Sequence, residues 1–126
     1  MITNSILNNF YNVQSQEQKE NGAYEVRISL NPSHDIFKGH FPGNPVTPGV
    51  CMMQIIKEIT ENITQKTLFL KSASNIKFMA IINPNETPDL VLDLNIDQKE
   101  DEIKVKNTTS FGETIALKMS VNYKMI

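Results

Sequence analysis

The sequence predicts an α+β fold in which a curved antiparallel sheet wraps around one long central helix. Three observations carry the prediction. Several segments alternate apolar and polar residues, the mark of strands with one buried face. A single long segment, from Val50 to about Thr64, carries its apolar residues at helical spacing instead. A sheet with one apolar face must be covered, and that helix is the only long one available.

The elements follow in chain order. Ile6, Leu7, Phe10 and Tyr11 fall at 3- and 4-residue spacing, as a short helix or an irregular arm packed on the body. Val13–Glu20 is polar and Gln-rich, an exposed strand or turn. Asn21-Gly22 is a hairpin signal. Ala23–Leu30 is a half-buried strand with Tyr24, Val26, Ile28 and Leu30 on one face. Beyond the helix come segments of an antiparallel meander: Thr67–Ala73, Asn75–Ile82, Asp89–Gln98, Glu102–Ser110 and Glu113–Met125. Leu90, Leu92, Leu94 and Ile96 show the alternation best. Gln98–Asp101 and Phe111-Gly112 supply the tight connections, and Asn83–Pro88 a longer turn.

Between the first strands and the helix lies the least ordinary stretch. His34–Val50 holds three of the six prolines, three of the five glycines and both histidines. Proline fixes φ and glycine admits φ > 0, so this density prescribes one loop path. Pro48-Gly49 then opens the helix. A rigid histidine-bearing loop feeding a helix N-terminus offers a ligand free backbone N–H donors. Met52, Ile55, Ile56, Ile59 and Ile63 form the helix's apolar stripe. Its N-terminal half, interrupted only by Gln54, is expected to be buried all round. Lys57, Glu58, Glu61 and Asn62 are expected to give the C-terminal half a wet face.

The 126 residues suit one domain with its own core, and 40% apolar with 21% charged residues fits a globular protein. No apolar run approaches the roughly 20 residues that span a bilayer. The first residues lack the features of a signal peptide, and one cysteine excludes an internal disulfide, so the expected compartment is the cytoplasm. A net charge of −2 and no basic run with aromatics argue against nucleic acid. Lys38, Lys66, Lys71 and Lys77 are candidates for a local patch facing an acidic partner, or are ordinary solvated charges.

Gly39-His-Phe-Pro-Gly-Asn-Pro-Val-Thr-Pro-Gly-Val50 resembles the signature loop of the hotdog-fold 3-hydroxyacyl-acyl-carrier-protein dehydratases. The likeness continues through the helix and, more weakly, into Asn75–Pro84. It implies one hotdog domain over 1–126 and a homodimer or larger assembly of dimers, with the helix residue of one protomer facing the histidine of the other. It also implies an acyl-carrier-protein thioester as substrate and the trans-2-enoyl thioester as product, with no metal and no cofactor. His40 maps onto the histidine that removes the proton α to the carbonyl. Gly49 maps onto the backbone N–H that polarises the thioester, and the Val46 carbonyl onto the group that orients the imidazole. Phe41, Pro42, Gly43, Val46, Pro48, Val50 and Phe78 are the residues expected to line the substrate path.

The chain departs from the family on the helix. The position fourteen residues after the histidine is acidic in the family and is Gln54 here. Gln can hold a hydroxyl or a water but cannot donate a proton as a carboxylic acid does. Glu58, one turn on, is the nearby carboxylate that could substitute, or else a solvated helix residue. Beside dehydration stand two alternatives: a thioesterase in which Gln54 holds a water, and a non-catalytic acyl-binding or heterodimer partner. His34 with Asp35 is a poor metal pair. Cys51 is a small core residue or, less simply, a nucleophile on the first helical turn. Met52, Met53, Phe78 and Met79 are core residues that can also line an acyl tunnel.

Overall fold

The computed structural model describes residues 8–38 and 45–126. Ile6, Leu7 and the Gly39–Asn44 part of the loop lie outside them. Six strands and two helices follow in order: β1 Tyr11–Glu20, β2 Ala23–Leu30, α1 Asp35–Lys38, α2 Gly49–Thr64, β3 Leu68–Phe78, β4 Asp89–Gln98, β5 Glu102–Phe111 and β6 Thr114–Met125. The strands form one sheet, ordered β1-β2-β4-β5-β6-β3, with every neighbouring pair antiparallel. The predicted sheet and single long helix are both present. No described helix is long and apolar enough to cross a membrane.

Alternation builds the core as read. Val26, Ile28, Leu90, Leu92, Leu94, Ile103, Val105, Met119, Val121 and Tyr123 turn inward from successive strands and are buried. They meet Met52, Ile55, Ile56 and Ile59 of α2 in one cluster. Each such aliphatic side chain contributes roughly 1.5–3 kcal/mol by leaving water. At the Asn21-Gly22 turn Gly22 has φ +83°, and a Cβ there would lie 2.7 Å from the Ile96 carbonyl oxygen. Only glycine fits both the torsion and the approach.

Phe10, read as one residue of a helix or arm, is fully buried beside β1, where it stacks on Phe37 of the short helix α1 at 5.1 Å. The two segments Thr67–Ala73 and Asn75–Ile82 are a single strand ending at Phe78. The register against β6 shifts between Ser74 and Lys77, and Asn75 takes φ +53°. A bulge of this kind bends a strand without ending it, and asparagine tolerates the left-handed torsion. Asn75→Gly should leave stability within about 0.5 kcal/mol. Asn75→Val should cost about 1–2 kcal/mol, read as a fall in the urea midpoint at unchanged slope.

Nor does β3 present an apolar inner face. At the sheet edge only Leu68 is buried, while Phe69, Leu70, Ile76 and Phe78 are exposed.

The expected polarity of α2 is reversed at two places. Its N-terminal half is not buried all round, because Val50 is 74% exposed. Its C-terminal half does not carry the predicted wet face, because Glu58 and Glu61 are each 4% exposed. Both carboxylates are satisfied inside the protein, which is what lets an acidic residue be buried. Glu61 accepts the Leu68 N–H at 2.9 Å and has the Lys57 ammonium at 3.7 Å, which ties the helix end to the start of β3. Glu58 accepts the Tyr11 hydroxyl and the Gln54 amide. Asn62 is exposed as expected.

Candidate functional site

The site begins where the loop becomes α2. Pro48 is the N-cap, with φ −62° and ψ 142°, and makes no side-chain cap bond. Its carbonyl accepts the N–H groups of Cys51 at 3.0 Å and Met52 at 3.3 Å. Among the described residues no acceptor meets the N–H groups of Gly49 and Val50. The helix dipole adds partial positive charge at the same place, so an oxygen gaining negative charge is stabilised there. The approach to the cap is anchored by the Thr47 N–H, which donates to the Ile82 carbonyl at 2.9 Å.

Phe78 closes over this helix start. A Cβ on residue 49 would lie 2.6 Å from its ring edge, so glycine is what lets the ring sit there. Two residues singled out separately in the sequence are thereby brought together. Val50 and Gln54 line an adjoining groove of about 330 Å³ with Met53, Lys57, Leu70, Val121 and Tyr123. Its walls are mostly apolar, as an acyl chain requires. Pro48 and Val46 are half-buried on the loop side. His40, Phe41, Pro42 and Gly43 lie outside the described residues.

Behind Gln54 is a feature that the sequence did not disclose. The Gln54 Nε2 donates to one Glu58 oxygen at 2.9 Å, and the Tyr11 hydroxyl donates to the other at 2.8 Å. Burial first, and then this bond and charge from Glu58, push the Tyr11 hydroxyl well above its ordinary pKa, so it stays a donor. Tyr123, buried and near the charge of Glu61, is shifted the same way. The sequence signal was the spacing of Gln54, Glu58 and Glu61 along one stripe of the helix. The Tyr11 partner of Glu58 lies far away in the chain, 47 residues earlier.

The remaining candidates resolve simply. His34 accepts the Ile36 N–H at Nδ1 (3.1 Å) and its Nε2 lies 3.0 Å from the Asn8 carbonyl, so the neutral Nε2–H tautomer satisfies both. With Phe10 edge-on at 5.2 Å, it is a structural histidine. Among the described residues no cluster of His, Cys, Asp and Glu could hold a metal ion. Burial pushes the Cys51 thiol up, away from a reactive thiolate. Of the four lysines read as a patch, Lys38 pairs with Asp35 and Lys71 with Glu102.

A family model described as ApeI-like, ApeI dehydratase, matches residues 14–118. The chain belongs to the ApeI-like dehydratase family. Among curated relatives, a 3-hydroxyacyl-[acyl-carrier-protein] dehydratase FabZ of Levilactobacillus brevis is 28% identical over 103 residues, covering 76% of this chain and 68% of the relative. The dehydratase heterocomplex ApeI:P from Xenorhabdus doucetiae superposes with a TM-score of 0.71 at 21% identity, over 89% of this chain and 96% of that one. A hypothetical thioesterase with coenzyme A from Streptococcus pneumoniae shares the fold, with a TM-score of 0.67 at 11% identity over 97% and 91% of the two chains. The hotdog dehydratase family read from the loop is thus the family found.

Proposed function

We propose that this member of the family dehydrates a 3-hydroxyacyl thioester carried by acyl carrier protein to the trans-2-enoyl thioester. The observation that carries the assignment to this site is the uncapped start of α2. Gly49 N–H lies under Phe78, with Gln54 in the apolar groove alongside. His40 takes a proton from C2, and the enolate oxygen that forms is held by the Gly49 N–H. The C3–O bond then breaks, a double bond forms between C2 and C3, and the hydroxyl leaves as water with the proton returned from His40. Gln54 holds that hydroxyl, directly or through a water, because an amide cannot supply the proton itself.

The exposed edge of β3 supports assembly into a dimer through this side. Phe69, Ile76 and Phe78 of β3, with Ile81 and Val50, are exposed apolar side chains, and an open strand edge that carries them favours a partner. The proposed setting is the cytoplasm.

We propose further that an acidic carrier docks on a basic surface, which lies on the outward face of the sheet, opposite the side that carries Phe78. Lys77 precedes Phe78 and pairs in register with Lys118, with Lys106 lining the same depression of about 280 Å³. None of the three is ion-paired among the described residues. Like charges set opposite one another oppose folding, so a partner that neutralises them is favoured. Lys77→Glu with Lys118→Glu should raise KM about 5- to 10-fold for a carrier-bound substrate and leave KM for the matching pantetheine thioester unchanged. An equal change for both would remove docking as the cause.

The direct test is a mass-spectrometric assay of the wild-type chain on a short 3-hydroxyacyl-carrier protein, with His40→Ala beside it. The expected product is the carrier-bound acyl group lighter by one water, formed only when His40 is present. Free acid would instead identify a thioesterase. An unchanged acyl group that remains bound would identify a non-catalytic partner.

A further inference from the structure

Gln54 is not a free amide at the groove wall. Glu58, buried one helical turn behind it, receives the Gln54 Nε2 on one oxygen and the Tyr11 hydroxyl on the other. A carboxylate oxygen only accepts, so the amide must turn its NH₂ toward Glu58. That fixes the other end. With the NH₂ engaged behind, the Oε1 is the end left for the groove, which Gln54 lines and Glu58 does not.

An amide free to flip would offer donor or acceptor with similar ease, and so would hold either a hydroxyl or a carbonyl. Locked in this sense, it offers an acceptor. We infer that Glu58, held by Tyr11, is a positioning residue that fixes the Gln54 amide so that its Oε1 accepts the hydrogen bond of the substrate's 3-hydroxyl group. This inference rests on the dehydratase reading of the site, and extends it by naming how a glutamine selects a hydroxyacyl chain over a saturated one.

Tyr11 makes the lock specific to this fold. It sits at the first position of β1, opposite Leu30, and reaches α2 across the layer. Burial and the neighbouring Glu58 raise its pKa, so the hydroxyl stays a donor. Phenylalanine at position 11 keeps the ring and removes only the bond.

The test is binding, so that it does not depend on turnover. The ratio of affinities for an unreactive 3-hydroxyacyl-pantetheine amide and its 3-deoxy analogue is measured by calorimetry on the full chain. The wild type should prefer the hydroxy compound by about tenfold, the scale of one net hydrogen bond. Glu58→Gln should bring the ratio close to one, since two amides can pair in either sense. Tyr11→Phe should lower it about threefold, and serves as the probe if Glu58→Gln fails to fold. In a Gln54→Ala background Glu58→Gln should change nothing further, because a residue acting through Gln54 has no effect without it. An unchanged ratio in both Glu58→Gln and Tyr11→Phe overturns the inference, as does an equal loss in the Gln54→Ala background. No hydroxyl preference in the wild type overturns it too. A chain that prefers the hydroxyl but forms no enoyl product would sink the dehydratase assignment and leave this inference standing.

Discussion

Gly49→Pro is expected to lower kcat by about 10²–10³-fold with little change in Tm, the loss seen when one oxyanion donor is removed. The helix tolerates the change. Position 49 opens α2, where a proline's missing N–H breaks no intrahelical bond and its fixed φ suits the first turn. The residue before it is already compatible, because Pro48 holds φ −62° and ψ 142°, the extended region that a following proline demands. What the substitution removes is the Gly49 N–H, the donor proposed to meet the developing enolate. It also adds a Cβ, which would fall 2.6 Å from the Phe78 ring. Gly49→Ala separates the two effects, since it adds the Cβ and keeps the N–H. The exposed ring of Phe78 can swing away, so alanine should cost about tenfold and act mainly on KM through the displaced wall. Equal loss of kcat in the two variants would mean that the ring, and not the donor, is what glycine protects.

The residues of this site differ in how far the sequence revealed them. Strand alternation was legible because it is local. Leu90, Leu92 and Leu94 turn inward wherever β4 is placed, and their own spacing says so. The turn at Gly22 and the helix start after Pro48 were legible for the same reason, each being fixed by the torsions of its own residues. The break near Ser74 was detected one residue from the bulge at Asn75. Its nature was not, since alternation fails alike at a strand end and at a bulge.

The inversion of α2 could not be read from spacing. A charged residue on a helix is taken as solvated unless a partner is known, and the partner of Glu58 is Tyr11, 47 residues earlier in sequence. Phe78 over Gly49 is likewise a product of sheet order, which places β3 on the far edge beside β6. Family resemblance proposed His40, Gly49 and Gln54 as a set because they are close in sequence. It was silent on what stands behind Gln54, where this chain departs from the acidic pattern.

That departure sets the second large effect. In Gln54→Glu, two carboxylates replace an amide–carboxylate pair whose polar atoms are 2.9 Å apart. Both cannot ionise at that separation in a buried position, so the pair keeps one proton to higher pH and titrates as a unit. The folded pKa of the pair then lies above the unfolded value of about 4.3. A group raised in this sense contributes its stability fully below the unfolded pKa and loses it as pH rises through the folded one. Relative to wild type, the Tm of Gln54→Glu should therefore fall from about pH 4 upward, by roughly 8 °C at alkaline pH if the uncompensated charge costs about 2 kcal/mol. The retained proton has a chemical use. It gives the groove a carboxylic acid able to protonate the leaving hydroxyl, which the amide cannot do, so kcat should rise about tenfold near pH 6 and lose the gain over the same interval in which stability is lost. Glu58→Gln added to Gln54→Glu restores one donor facing one carboxylate and should flatten the pH dependence of Tm. A Tm difference that ignores pH, or a gain in kcat that persists after the pair has lost its proton, would show that the two side chains are not coupled.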